Sequence, residues 1–239
     1  MEANPDGVLI VDKGPDMTSH DVVAVARRCL GMKKIGHCGT LDPMATGLLI
    51  LVIGRATKLS DLLMSEEKEY VGTMKLGQTT NTQDREGEVE EEKPISPDVD
   101  EARIRTVFEG FMGDFKQIPP MVSAIKKDGV PLYKLARKGQ EVKRDPRPVR
   151  VFAHEIGKIE LPLIDFRIVC SKGFYVRTYA HDIGQELGCG AHLHDLRRTR
   201  SGKFNLDRCV SFEDLKEGRR DKVVETMLSL PDVSRLRGA

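Results

Sequence analysis

The sequence predicts an α+β fold in which a mixed, largely antiparallel central sheet is flanked by helices. Three observations carry that expectation. Apolar or alternating runs read as strands over residues 7–11, 48–53, 68–76, 149–158 and 163–171. Apolar residues recur at helical spacing over 18–31, 98–112 and 176–187. Strands and helices do not alternate regularly, which disfavours a doubly wound parallel sheet.

Taken in order, Gly7-Val8-Leu9-Ile10-Val11 reads as a buried strand. Thr18-Ser19-His20-Asp21 opens a helix, because hydroxyl side chains cap the unpaired N–H groups and an acid sits in the first turn. Val22, Val25, Ala26 and Cys29 share a face of that helix, and Gly31 ends it. Residues 36–46, rich in Gly, Thr and Pro, read as a loop feeding the apolar strand 48–53. A short helix follows over 56–64, then the alternating strand 68–76. The acidic stretch after Gly77 reads as an exposed excursion. A helix over 98–112 presents Ala102, Val107, Phe108 and Phe111 as its inner stripe. Pro119-Pro120 breaks the chain, and Asp128-Gly129 signals a hairpin turn. The strands 149–158 and 163–171 pair. Val176, Ala180, Ile183 and Leu187 form a helix face ending at Gly188, and short strand and helix pieces finish the chain.

Composition bounds the function. The 239 residues carry 38 Lys and Arg against 37 Asp and Glu, a net charge of +1. With 39% hydrophobic residues, this excludes a disordered chain and a strongly basic nucleic-acid-binding protein, but not a local basic surface. The longest apolar run, 48–53, is far short of the ~20 residues a membrane helix needs. The N-terminus has neither the basic start nor the apolar run of a signal peptide. Five cysteines without a Cys-x-x-Cys pair read as reduced thiols, and the expected location is cytoplasmic. Charge is uneven: residues 84–101 sum to −7, and 126–150 to +6. A second basic cluster, Arg197-Arg198-Thr199-Arg200, follows. The two basic segments are candidates for contact with phosphates.

The segment Gly36-His37-Cys38-Gly39-Thr40-Leu41-Asp42-Pro43-Met44-Ala45-Thr46-Gly47 sits between two apolar elements. Pro43 biases Asp42 toward an extended backbone, and Gly39 and Gly47 allow tight turns on either side. The result is a carboxylate on a stiff loop. On these residues alone, a turn-forming Asp is the commoner reading.

This segment, continued by Leu48-Leu49, resembles the signature loop of the TruB family of pseudouridine synthases. Val11-Asp12-Lys13 through Thr18-Ser19-His20-Asp21-Val22-Val23 is similar to the family's first motif. Lys68-Glu69-Tyr70 with Leu76-Gly77-Gln78-Thr79-Thr80-Asn81-Thr82 resembles its second block, and Gln117-Ile118-Pro119-Pro120-Met121-Val122-Ser123-Ala124-Ile125-Lys126 a further one. Cys170-Ser171-Lys172-Gly173-Phe174-Tyr175-Val176-Arg177-Thr178 and Gly188-Cys189-Gly190-Ala191-His192-Leu193-His194-Asp195-Leu196-Arg197-Arg198 resemble the C-terminal motifs. The likeness runs in register over roughly residues 7–204.

The resemblance implies the pseudouridine synthase fold and conversion of the uridine at position 55 in the TΨC loop of tRNA into pseudouridine, with no cofactor and no metal. It implies that Asp42 is the catalytic carboxylate and that Arg177 pairs with it. The target base must be extruded from the RNA. The resemblance assigns Tyr70 to stacking on it, Tyr175 and Leu196 to lining the pocket, and His37 to the space the uridine leaves. Lys13 supports the loop. Lys126, Lys143, Arg144, Arg147, Arg197 and Arg198 are the expected contacts to the RNA backbone, several of them on a basic insertion at about 115–150. The partner is the T-arm and TΨC loop of tRNA, with no membrane and no obligate protein partner, and the chain is expected to be a monomer.

Two departures stand out. The family's Lys-Pro-x-Gly is replaced by Lys13-Gly14-Pro15-Asp16. Residues 1–215 are expected to form the catalytic domain. Residues 216–239 are then a short charged tail, with no complete RNA-binding domain of the PUA type. Three rival readings are a metal-dependent hydrolase built on His181-Asp182 with Cys189, His192, His194 and Asp195, a non-catalytic tRNA-folding protein, and a guide-RNA-dependent synthase acting on ribosomal RNA.

Overall fold

Thr18 caps the first helix reciprocally: its hydroxyl accepts from the Asp21 N–H, and the Asp21 carboxylate accepts from Thr18 N–H at 2.8 Å. Gly31 closes that helix at φ 65 in the left-handed conformation. The computed structural model describes residues 5–238. In chain order it runs β1 (Gly7–Lys13), α1 (Ser19–Leu30), β2 (Ile35–Cys38), β3 (Thr46–Ile53), a 3-10 turn (Gly54–Leu59), α2 (Ser60–Met64) and β4 (Lys68–Leu76). There follow β5 (Gln78–Thr80), β6 (Val89–Glu92), α3 (Glu101–Gly110), β7 (Gly113–Gln117), β8 (Lys126–Lys127), β9 (Val130–Pro131) and α4 (Leu132–Ala136). The chain ends with β10 (Arg147–Glu160), β11 (Leu163–Cys170), α5 (Val176–Glu186), β12 (Ala191–Ser201), β13 (Val210–Ser211), α6 (Phe212–Lys216), α7 (Arg220–Thr226) and α8 (Leu230–Arg237). This is the expected α+β class, with mostly antiparallel pairing. Among the described residues no helix is long and apolar enough to cross a membrane.

The chain divides into two units, Met1–Tyr70 with Leu196–Ala239, and Val71–Asp195. In the first, the strand order is β13-β1-β3-β12-β4, with β2 added to β3. β3 is buried along almost its whole length, which explains its unbroken apolar sequence. Val8, Ile10, Leu48, Ile50 and Val52 pack with Leu63, Phe204, Leu228 and Val233. Each such side chain contributes roughly 1.5–3 kcal/mol by burial. The C-terminal residues are thus part of this core, and Val8 and Leu228 exchange backbone hydrogen bonds of 2.9 and 2.8 Å.

In the second unit the order is β12-β4-β11-β10-β7. Tyr179 of α5 and Phe108 of α3 are buried edge-to-face at 5.9 Å, and Phe166 of β11 joins them. Desolvation pushes the Tyr179 hydroxyl far above its ordinary value. Asp128 (φ 51) and Gly129 (φ 81) form the expected hairpin turn between β8 and β9.

Three expectations change, and one gains detail. Residues 36–38, expected as loop, belong to strand β2, because their backbone pairs with β3. The buried residues of α3 are Ile104 and Phe108, while Ala102 is exposed. The acidic stretch is exposed over most of its length, as expected, and part of it pairs as a β5–β6 hairpin whose base holds buried Thr79, Thr80 and Asp84. The last third holds an eleven-residue strand, β12, rather than short pieces alone.

Candidate active site

In the first unit, the chain between β2 and β3 carries Asp42. Leu41 and Met44 are buried anchors, and Asp42 and Pro43 rise between them, half-buried and exposed. The loop is held from three sides. Ser19 of α1 brackets the Leu41 peptide: its Oγ accepts from Leu41 N–H at 2.9 Å and donates to Leu41 O at 3.2 Å. Lys13, fully buried at the end of β1, donates from Nζ to the carbonyls of Pro43 (3.0 Å), Ala45 (2.6 Å) and Gly14 (2.8 Å). A buried ammonium is tolerated only when hydrogen-bonded, so this cation fixes the loop as the loop stabilises it. Asp16, where the family has Gly, adopts φ 58, a left-handed conformation that Asp tolerates better than most residues.

Arg198 supplies the third side and corrects the sequence reading. Expected to contact RNA phosphates, it is 1% exposed. Its Nε donates to Leu48 O at 2.7 Å and its Nη2 to Gly39 O at 3.1 Å, so it ties both ends of the loop to β12. A Cβ on Gly47 would lie 2.3 Å from the Arg198 carbonyl, so only glycine lets the strands approach here. Arg197, half-exposed, forms a bidentate pair with Asp12 at 2.9 and 2.8 Å.

His37 lies on β2 with its ring edge-on to His20, centroids 5.2 Å apart. Burial, and then the positive charges of His20 and Arg198, lower its pKa to about 4, so the ring is neutral near pH 7. Its Nδ1 is buried without a hydrogen-bond partner among the described residues. Burial raises the neighbouring Cys38 thiol to about 11, which makes it inert. Tyr70, 8% exposed on β4, and Leu196, 7% exposed on β12, complete the expected residues of this unit.

In the second unit, Tyr175 and Arg177 sit at the start of α5. Arg177 is 3% exposed. It donates from Nη1 to Thr82 O at 2.9 Å and from Nη2 to Val122 O at 2.8 Å, with the Asp84 carboxylate 3.6 Å away. The guanidinium is therefore held in place by two carbonyls, beside a buried carboxylate. Lys126, Lys143 and Arg147 are exposed. Arg144 is half-buried and donates to Pro119 O at 3.2 Å and to Glu141 at 3.0 Å. His192 Nδ1 lies 3.1 Å from Gln78 O, and among the described residues no three His, Cys, Asp or Glu converge as metal ligands.

Sequence reasoning missed Ser19, visible only as a cap candidate, and the internal roles of Arg198, Asp84 and Gln117.

The profile described as TruB family pseudouridylate synthase (N terminal domain) matches residues 27–176, and that described as tRNA pseudouridylate synthase B C-terminal domain matches 177–230. The chain belongs to the TruB family. A relative from Opitutus terrae named tRNA pseudouridine synthase B is 58% identical over 211 residues, covering 88% of this chain and 87% of that one. One of the same name from Geobacter sulfurreducens is 50% identical, covering 89% and 69%. Among solved structures, a Cbf5-Nop10-Gar1 complex matches with a TM-score of 0.74 at 31% identity over 96% of this TruB-family chain. An H/ACA RNP bound to a substrate RNA matches at 0.71 and 28%. This chain spans about three fifths of the matched chain in each, 62% and 61%.

Proposed function

We propose that this protein isomerises the uridine at position 55 of tRNA to pseudouridine, with Asp42 as the reactive carboxylate. The base leaves its N1–C1′ bond and is rejoined through C5. C5 gives up a proton and N1 gains one, so the product is an isomer and no redox equivalent is consumed. The observation that carries the reading is the half-buried Asp42, presented on a loop clamped by Lys13, Ser19 and Arg198. Such clamping keeps a reactive group within the narrow geometry a covalent step needs.

Arg177 is the proposed cation for that carboxylate. Tyr70, Tyr175 and Leu196 are proposed to hold the extruded base, and the neutral His37 ring to stack in the RNA. A neutral ring stacks on a base without the desolvation cost of a charged one. The basic insertion supplies phosphate contacts, and specificity comes from the shape of the folded RNA loop. Relatives named for tRNA are 58% and 50% identical, against 28% and 31% for the H/ACA RNP and Cbf5 structures, which supports tRNA over a guided RNA as substrate. Purified protein incubated with unmodified tRNA should give pseudouridine at position 55. Modification elsewhere, or none, overturns the reading.

A further inference from the structure

The start of α5 lacks a side-chain cap of its own. Tyr175 occupies the capping position at φ −107, ψ 106, and its side chain does not cap the helix. Its backbone is instead held by Gln117, the last residue of β7. Tyr175 N–H donates to Gln117 Oε1 at 2.8 Å, and Gln117 Nε2 donates to Tyr175 O at 3.0 Å. The same carbonyl accepts the first helical bond, from Tyr179 N–H at 3.0 Å. Gln117 itself is 1% exposed, so its amide sits inside the protein. An amide used this way fixes the peptides on both sides of the residue that starts the helix, and Arg177 is two residues further on.

The chain after Gln117 reaches the same place. Val122 O accepts from Arg177 Nη2 at 2.8 Å. Beyond it, Ser123 O and Ile125 O accept from Tyr133 N–H and Leu132 N–H, at 3.0 and 2.7 Å, on α4 of the basic insertion. Arg144 grips Pro119 O, and Arg147 pairs with Gln117 in the β7–β10 ladder. One short segment, residues 117–125 at the start of the insertion, is thus bonded to the start of α5, to the Arg177 guanidinium and to the rest of the insertion through α4, Arg144 and Arg147.

We propose that Gln117 is a positioning residue for Arg177 and Tyr175, fixing the start of α5 so that the guanidinium meets the reacting group in one orientation. This rests on the functional reading above. Gln117 touches no substrate; it acts through the Tyr175 backbone.

The test is single-turnover pseudouridine formation on tRNA with wild type, Gln117→Leu and Gln117→Glu, alongside tRNA affinity and thermal melting. Leu removes both bonds. Ionised Glu can still accept from Tyr175 N–H but cannot donate to its carbonyl. The rate constant should fall at least tenfold in Gln117→Leu, equivalent to about 1.4 kcal/mol of barrier, and by an intermediate factor in Gln117→Glu. Reaction amplitude should stay complete and Kd within about twofold. A purely structural role gives the reverse: lower amplitude because fewer molecules are folded, with a wild-type rate constant for the remainder. That result overturns the proposal, as does an unchanged rate in Gln117→Leu. If Gln117→Leu fails to fold, Gln117→Glu decides by the same criterion. A wild-type chain that leaves tRNA unmodified defeats the functional reading instead.

Discussion

Arg198→Met separates two incompatible roles for one arginine. As a phosphate contact its loss would weaken tRNA binding and flatten the salt dependence by about 0.9 in log–log slope. As an internal strut its loss strands the buried carbonyl of Leu48 and the half-buried one of Gly39. An unsatisfied buried acceptor costs about 1–3 kcal/mol, and Met replaces much of the apolar stem, so about 2–4 kcal/mol of stability should be lost. For a chain of this size that lowers the melting midpoint by roughly 5–15 °C. The assay is paired: thermal melting, and tRNA affinity at several salt concentrations. A lower midpoint with an unchanged slope is expected. An unchanged midpoint with a slope shallower by about one would refute the strut.

Two further predictions concern the same surfaces. NMR titration should place the His37 midpoint near 4, below the ordinary 6.5, because burial disfavours the imidazolium. The folded value is the depressed one, so this residue's contribution to stability is complete above about 6.5 and declines as pH falls toward 4, where the unfolded chain takes up a proton the fold refuses. A midpoint above 6 would contradict the burial described. Reversing the exposed charges at Lys126, Lys143 and Arg147 to Glu should weaken tRNA binding and reduce its salt slope, with little effect on melting; an unaltered slope excludes the insertion from the interface.

Local signals were legible in the sequence. The capping pair Thr18 and Asp21, the Gly31 stop and the Asp128-Gly129 turn each depend on neighbouring residues alone, and each stands where expected. The loop around Asp42 was legible as a motif. What the sequence concealed depends on distant chain. β12 is polar, His-Leu-His-Asp-Leu-Arg-Arg-Thr-Arg, yet lies between β3 and β4, because backbone pairing on both edges outweighs weak strand propensity. Arg198 sits in a basic run and reads as surface, yet its burial follows from the contact of β12 with Gly47 and Leu48. In α3, Ile104 and Phe108 form the inward i, i+4 pair, so of the expected stripe Ala102, Val107, Phe108 and Phe111 only Phe108 is fully buried. His37 looked like a loop residue because Gly36 is a poor strand former, but pairing with Leu51 makes it a strand.

The central claim is that the Asp42 carboxylate performs the isomerisation and that the surrounding clamp only presents it. Asp42→Asn keeps the shape and removes the charge. Measured in single turnover with tRNA, pseudouridine formation should be abolished while Kd stays within about twofold and the melting midpoint barely moves. Turnover by the Asn variant at anything near the wild-type rate would contradict the assignment.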